Sequence, residues 1–331
     1  MKKNCCLAGI MVFLFCMHLR ALAIGDPQVK HLGIEQGLSN NAVTCIYQDA
    51  KGFLWFGTYD GLNRYDGYGF TVYRNIIGDS ASIPFNNVAS INADQHDHIW
   101  VSGLKGIAIL DPLTGKFAIP AYRSCDGHGI VKVQSFVHMI RSVGDRYVLA
   151  GSHSNGLLLF DGQSSVGWQI PLKELRGNQG SYDVFAVEYD KFTGRVWVLI
   201  QGKGLYALDL ATKTLSPVNT TFRNGYSLKV DNNGTLWMGT DNGLFALSRD
   251  GRTFSANYYL PCKSRVVCID VNSRNDLCFG TDGDGIWCLP ANAAKAMPML
   301  AATGASLVNS NAVYSVYEDR EGRKWIGTLR G

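Results

Sequence analysis

The chain repeats itself about every 45 residues. One copy reads Asp49-Ala50-Lys51-Gly52-Phe53-Leu54-Trp55-Phe56-Gly57-Thr58-Tyr59-Asp60-Gly61-Leu62, and a later one Asp231-Asn232-Asn233-Gly234-Thr235-Leu236-Trp237-Met238-Gly239-Thr240-Asp241-Asn242-Gly243-Leu244. Aligned on the second glycine, the copies fall at Gly61, Gly106, Gly156, Gly204, Gly243, Gly285 and Gly331, at intervals of 45, 50, 48, 39, 42 and 46 residues. Five of the seven tryptophans share one slot: Trp55, Trp100, Trp197, Trp237 and Trp325. The third copy has Tyr147-Val148-Leu149 there and the sixth has Cys278. A period of this length restricts the fold to propellers, solenoids and arrays.

Four short strands account for each unit. Ala42 to Tyr47 is rich in β-branched and aromatic residues. Asp49 to Gly52 is a polar turn, and Phe53 to Phe56 an unbroken apolar run that suits a strand buried on both faces. Leu62 to Tyr65 and Phe70 to Tyr73 follow, separated by Asp66-Gly67. A leucine-rich horseshoe needs a shorter period, and helical repeats need an apolar spacing of 3.6, which the chain lacks. The expected fold is all-β: a propeller of four-stranded blades, six complete and a partial seventh. The repeats run over about 38–80, 81–125, 130–175, 180–222, 223–260, 261–305 and 306–331, the last incomplete. A lone blade cannot bury both its faces, so the slot tryptophans are expected to fill the space between blades. Val29 to Leu32 is the natural outer strand to close the ring against the last blade. With the last blade incomplete, residues 24–331 alone are expected to be aggregation-prone or marginally stable.

Met1-Lys2-Lys3, an apolar stretch from Cys5 to Met17 and Ala21-Leu22-Ala23 make a secretory leader over 1–23, followed by the propeller over 24–331. The apolar stretch is short for a membrane span. The whole chain has 31 basic and 27 acidic residues; losing Lys2, Lys3 and Arg20 with the leader leaves 28 against 27. This balance gives no electrostatic case for nucleic-acid binding. Six cysteines remain: Cys45, Cys125, Cys262, Cys268, Cys278 and Cys288. Cys45 and Cys268 share a strand position and read as small buried residues. Cys268, Cys278 and Cys288 lie on successive strands of one blade, where a cross-strand disulfide is one alternative.

No catalytic residue is nominated, no metal site, and no cofactor. His96-Asp97-His98 matches the polar turn of the other copies and lacks a third ligand nearby. Asp282-Gly283-Asp284-Gly285 lacks the closing glutamate of a calcium loop. Gly202-Lys203-Gly204 lacks the trailing Ser/Thr of a phosphate loop, and no Gly-x-Ser-x-Gly occurs. The candidate ligand surface is the face where the entry to each first strand and the second turn of each blade surround the central channel. Blade one offers Asn40, Asn41, Tyr59 and Asp60 there; blade two, Asn86, Asn87 and Lys105; blade three, His153 and Asn155. Later blades offer Lys203, Asp241, Asn242, Asp282, Asp284 and Asn311. Polar groups converging on a funnel can bind a sugar or other polar ligand. Equally, Asn and Asp can simply turn the chain there.

Gly37-Leu38-Ser39-Asn40-Asn41-Ala42-Val43, followed by Gly52 through Gly67, resembles the first repeat of the two-component regulator propeller. The later Asp-x-x-Gly-x-x-Trp and Gly-Thr-x-x-Gly copies resemble its repeat. The resemblance covers nearly all of residues 30–331. It implies the periplasmic sensor region of a hybrid two-component system, typical of gut Bacteroidetes and anchored in the inner membrane. Two seven-bladed propellers, a small β-sandwich, one membrane helix and a cytoplasmic histidine kinase make up such a protein, often with a receiver and a DNA-binding domain. Its ligands are often glycan-derived oligosaccharides, and a homodimer of the full-length form is a further expectation. No ligand residue carries over from the family. The chain reads as the opening part of such a protein, not itself an enzyme and not a nucleic-acid binder, with the second propeller, sandwich and kinase as its missing partners. The rival reading is a stand-alone secreted propeller, either a carbohydrate-binding module or a polysaccharide lyase; fold alone does not separate them. The reading frame beyond codon 331 discriminates the two.

Overall fold

Each repeat folds into an antiparallel sheet whose strands follow chain order. The computed structural model describes residues 29–162, 166–175, 179–221, 223–248, 250, 252–258, 264–300 and 306–330. The leader, Cys262 and Gly331 lie outside the described residues. The chain divides into two compact units. One comprises residues 1–31 and 300–307, where Leu300 and Ser306 form an isolated antiparallel bridge. The other, residues 32–299 and 308–331, carries every blade.

Blade 1 consists of Val43–Gln48, Leu54–Thr58, Gly61–Tyr65 and Phe70–Tyr73. The first strands of blades 2 to 7 are Val88–Ala93, Val137–Val143, Val184–Asp190, Gly225–Val230, Val266–Val271 and Val313–Glu318. Each first strand packs against the first strand of the next blade, and the seventh packs against the first. The first strands therefore surround the axis of this unit. Every first strand carries a register shift after its opening residue, such as Val43/Cys45 and Val313/Ser315. A bulge repeated in this way bends each strand at the same level.

Two features differ from expectation. The third sheet has six strands, because the hairpin Ala121–Arg123 and Ile130–Lys132 adds to it, with Ala121–Arg123 parallel to Val166–Ile170. The hairpin covers an edge that would otherwise present unpaired backbone groups. Its Tyr122 is buried beside Trp100 and Phe160. The segment 29–32 forms no strand. Blade 7 shows the two strands Val313–Glu318 and Lys324–Thr328, and closure runs through its face. Trp325 meets Phe56 and Tyr65 of blade 1 edge-on, with ring centroids 5.5 and 6.0 Å apart. The Arg320 N–H donates to Gln48 Oε1 at 3.0 Å.

Adjacent blades meet through a glycine. Gly57, Gly151, Gly239, Gly280 and Gly327 lie in second strands, and a Cβ built on any of them would sit 2.6–2.8 Å from the Cγ1 of the opening valine of the next blade. Those valines are Val88, Val184, Val266, Val313 and Val43, so the seventh joint uses the same contact as the others. Only a residue with no side chain permits this approach. Blade 2 has Ser102 in the register position of Gly57. Blade 4 has Leu199 there, and blade 5 opens on glycine: a Cβ on Gly225 would lie 2.7 Å from Leu199 Cδ2. Large and small have changed sides at that joint.

The turn before each slot tryptophan is built by one aspartate. Asp49 Oδ1 accepts the N–H groups of Lys51 and Phe53, both at 3.0 Å, and Oδ2 accepts Trp55 Nε1–H at 2.8 Å. Asp94 with Trp100, Asp231 with Trp237 and Asp319 with Trp325 repeat the arrangement at 2.9, 2.9 and 2.8 Å. Trp55, Trp100, Trp197 and Trp237 are 0, 4, 1 and 7% exposed, each buried against the following blade. In blade 6 the slot holds Cys278, which has no indole N–H, and the turn residue is Asn272. Its Oδ1 still accepts the N–H groups of Arg274 and Asp276, at 3.0 and 2.8 Å. In blade 4 one extra residue separates Asp190 from Trp197. Asp190 bonds Thr193 instead, and Trp197 Nε1 has no partner among the described residues.

Two predictions follow from these joints and turns. Leu199→Gly is expected to cost about 2–5 kcal/mol as a cavity and Gly225→Val about 1–3 kcal/mol by overpacking. The double variant should cost less than the sum, as measured by urea unfolding; strict additivity would refute the size exchange. Burial raises the Asp94 and Asp319 carboxyls, but hydrogen bonds from the tryptophans, from backbone N–H groups and from His98 or Arg323 outweigh it, and both lie below the ordinary 3.8. A folded value below the unfolded one means stability that is present above about pH 4 and lost as pH falls further. Asp319→Asn should flatten this acid loss while lowering stability at neutral pH, as read from denaturant midpoints across pH.

Candidate functional site

The first strand of a blade starts where its second strand ends, since Val43 pairs with Thr58. The strand entries and the second turns therefore share one face of the ring. All fifteen sequence candidates stand in these entries and turns. Asn40, Asn41, Asp60, Asn86, Asn87, Asn155, Lys203 and Asp241 are half-buried; Tyr59, Lys105, His153, Asn242, Asp282, Asp284 and Asn311 are exposed.

They form local sets rather than one cluster. Asp60 joins Arg74 at 3.0 Å and accepts Asn86 Nδ2–H at 3.2 Å across the first joint. His153 Nδ1 lies 2.8 Å from Asp183 of blade 4, and Asn155 bonds Ser135. Asp241 accepts from Asn224 at 3.2 Å and from Asn242 at 3.3 Å. Asp282 lies 3.5 Å from the Tyr314 hydroxyl of blade 7. Asn40 and Asn41 serve the backbone, accepting the N–H groups of Ala42 at 2.8 Å and Ile34 at 2.9 Å. The Asn311 carbonyl accepts the N–H groups of Gly283 and Gly285, and the Asp284 N–H donates to Thr281. Lys105 and Lys203 occupy the tips of their own turns.

Sequence reasoning missed the residue that follows the opening residue of each first strand. Those positions are Thr44, Ala89, His138, Phe185, Tyr226, Val267 and Tyr314, all half-buried. In blades 3 to 5 they are rings in contact across the joints. His138 meets Phe185 edge-on at 5.0 Å, and Phe185 stacks with Tyr226 at 6.1 Å. The Arg265 guanidinium lies over Tyr226 at 5.4 Å, and His153 stands 6.2 Å from His138. This arc combines apolar ring faces with a His–Asp pair and one cation, a combination that can grip a polar ring. Counting one residue past the aligned opening residues, a valine in blades 3 and 4 and Gly225 in blade 5, would have found it.

The concave space elsewhere is less suited to a ligand. A groove of about 440 Å³ lies on the opposite face, lined among others by Asp94, His98, Asp111, Lys116 and Asp161. Its carboxylates are engaged: Asp94 by Trp100 and His98, Asp111 by Thr114, Asp161 by Arg146. No group of three or more metal-ligating side chains occurs among the described residues. His98 of the His-Asp-His turn bonds Asp94 at 3.1 Å. Among the described residues, no helix is long and apolar enough to cross a membrane.

The sequence pattern of the two component regulator propeller matches residues 37–60 and 307–330, in the first and seventh repeats. Histidine kinase P4 of Formosa agariphila is 55% identical over 47 residues, which make up 14% of this chain and 3% of that protein. Among solved structures, the extracellular domain of a hybrid two component system from B. thetaiotaomicron superposes with a TM-score of 0.76 at 24% identity, covering 92% of this chain and 41% of that one. A second such domain from B. thetaiotaomicron gives 0.73 at 17%, covering 92% and 42%. The WD40 propeller of Doa1 gives 0.65 at 13%, covering 89% and 92%. The chain thus spans about two fifths of the bacterial extracellular domains it matches. These likenesses show an all-β propeller, whose first and seventh repeats match the two component regulator propeller pattern.

Burial lowers the His138 imidazole from 6.5 to about 4; Asp183 opposes the shift and His153 adds to it. Between these values the unfolded chain binds the proton and the folded one does not. The contribution of His138 to stability is therefore present above about pH 6.5 and is lost as pH falls toward 4. Ring NMR signals of His138 should stay those of a neutral imidazole at pH 5.5, and His138→Phe should remove this part of the stability slope.

Proposed function

Because its first and seventh repeats match the two component regulator propeller pattern, we propose that this chain is a ligand-sensing propeller of an exported two-component sensor. The match over the first and seventh repeats is the observation that carries the reading. The chain itself performs no chemistry. A kinase elsewhere in the full protein converts ligand occupancy into a change in transcription, and the sensor region lies outside the inner membrane. The relative from Formosa agariphila, named as a histidine kinase, supports the pairing of this repeat with a kinase.

The ligand is a polar, ring-faced molecule, best matched by a glycan-derived oligosaccharide. The arc His138–Phe185–Tyr226 supports this choice, since ring faces stack on the apolar face of a sugar while His153, Asp183 and Arg265 meet its hydroxyls. Signalling requires the ligand to bind one arrangement of the sensor better than the other, because it shifts the equilibrium only by that difference.

Calorimetric titration against a panel of plant and host oligosaccharides tests the reading. At least one should bind, and Phe185→Ala or Tyr226→Ala should weaken it by about 10-fold or more, while Lys191→Ala, in the turn after the first strand of blade 4, leaves it unchanged. Silence across the panel, or binding indifferent to both ring variants, would overturn the assignment of ligand class and place.

A further inference from the structure

Blade 6 holds two cysteines face to face. Cys278, on Leu277–Thr281, and Cys288, on Ile286–Leu289, are directly opposed in the antiparallel register. Their Sγ atoms are 3.3 Å apart. The ladder also places them at a favourable rung. The Thr281 N–H donates to the Gly285 carbonyl at 3.0 Å, closing the turn. Hydrogen-bonded and non-hydrogen-bonded pairs alternate down an antiparallel ladder. Counting from that bond, Gly280–Ile286 is non-hydrogen-bonded, Phe279–Trp287 hydrogen-bonded, and Cys278–Cys288 non-hydrogen-bonded. Such a pair has Cα atoms about 4.5 Å apart, within the span of about 4.4–6.8 Å that a disulfide bridges.

The other described cysteines lack this arrangement. Cys45 and Cys268 face the joint glycines Gly57 and Gly280, and burial pushes both thiols up to about 12. Cys125 is exposed on the added hairpin of the third sheet. Cys278 is 2% exposed, whereas Cys288 is half-buried, so an incoming reagent reaches Cys288 first. The hydrogen bond with Cys278 outweighs burial and, helped by the Lys324 charge, lowers the Cys288 thiol. A lowered thiol is the better attacking group at neutral pH.

We propose that Cys278 and Cys288 are a reversible redox pair, closed to a disulfide by exchange with a disulfide-bearing oxidant. The Cys288 thiolate attacks one sulfur of the oxidant, the oxidant S–S bond breaks, and its other sulfur leaves as a thiolate. Cys278 then gives up its proton and attacks Cys288 Sγ. The intramolecular S–S bond forms, and the second oxidant sulfur departs. Two protein thiols are oxidised, one oxidant disulfide is reduced, and the two protons end on the oxidant thiols. The pair packs with Ile286, Val313, Val316 and Ile326, so the bond would tie the second and third strands of blade 6 together where they pack on blade 7.

Full-length protein is treated with oxidised glutathione, or separately with dithiothreitol, then alkylated, digested and analysed by mass spectrometry. The oxidised sample should yield the Cys278 and Cys288 peptides joined and two hydrogens lighter. Its melting midpoint should exceed that of the reduced sample by several degrees. Cys288→Ser should abolish the redox dependence of melting, and Cys125→Ser should retain it. Free, alkylated Cys278 and Cys288 after oxidation, a bridge to a third cysteine, or an undiminished redox shift in Cys288→Ser would each overturn the proposal.

Discussion

The close approach of backbone to side chain at the joints is the constraint on which the rest depends. At five of the seven joints the valine that opens a first strand reaches the backbone of the preceding second strand. Five of the seven second strands supply glycine for it. The axis distance follows from that contact, and so does the position of every residue facing the channel. Because Gly327 takes Val43 as Gly57 takes Val88, the last joint is chemically the same as the four other glycine–valine joints. The ring therefore closes through the contact that most of its joints use, with the aromatic packing of Trp325 on Phe56 and Tyr65 added at the seam.

Much of this was legible in the sequence because the repeat exposes it. The four strands of blade 1 lie within one or two residues of the apolar runs, and the tryptophan slot lies between blades as its apolar flanks require. What escaped had no counterpart in the repeat. The hairpin around Tyr122 is an insertion between the second and third units, and its three-residue strands carry too little pattern to be seen. Closure was expected from Val29 to Leu32 on the analogy of paired ends. Whether that segment pairs depends on what the last blade offers, and the local sequence does not record it.

The candidate surface was half legible. Asn, Asp and Gly mark the turns, and turns mark the face, so the fifteen polar positions all reach the expected rim. The turns themselves consume several of those groups: Asn40 holds the Ala42 N–H, and Asp284 belongs to a turn anchored on Asn311 and Thr281. The ring arc was hidden for another reason. The register shift at the head of every first strand changes which residue looks inward, and His138, Phe185 and Tyr226 look like ordinary strand residues until the shift is known.

The aspartate turn also sets an order in which a repeat can decay. If the tryptophan goes first, the carboxylate keeps its two backbone donors and loses only one partner. A later change to asparagine then costs little, because one oxygen serves both N–H groups, as in the Asn272 and Cys278 blade. If the aspartate goes first, a buried indole N–H is stranded at a cost of about 1–3 kcal/mol. Blade 4, where one extra residue leaves Trp197 without an acceptor among the described residues, shows one such stranded state held in the ring. Sequence drift in these units thus has a preferred direction, written into which atom is left without a partner.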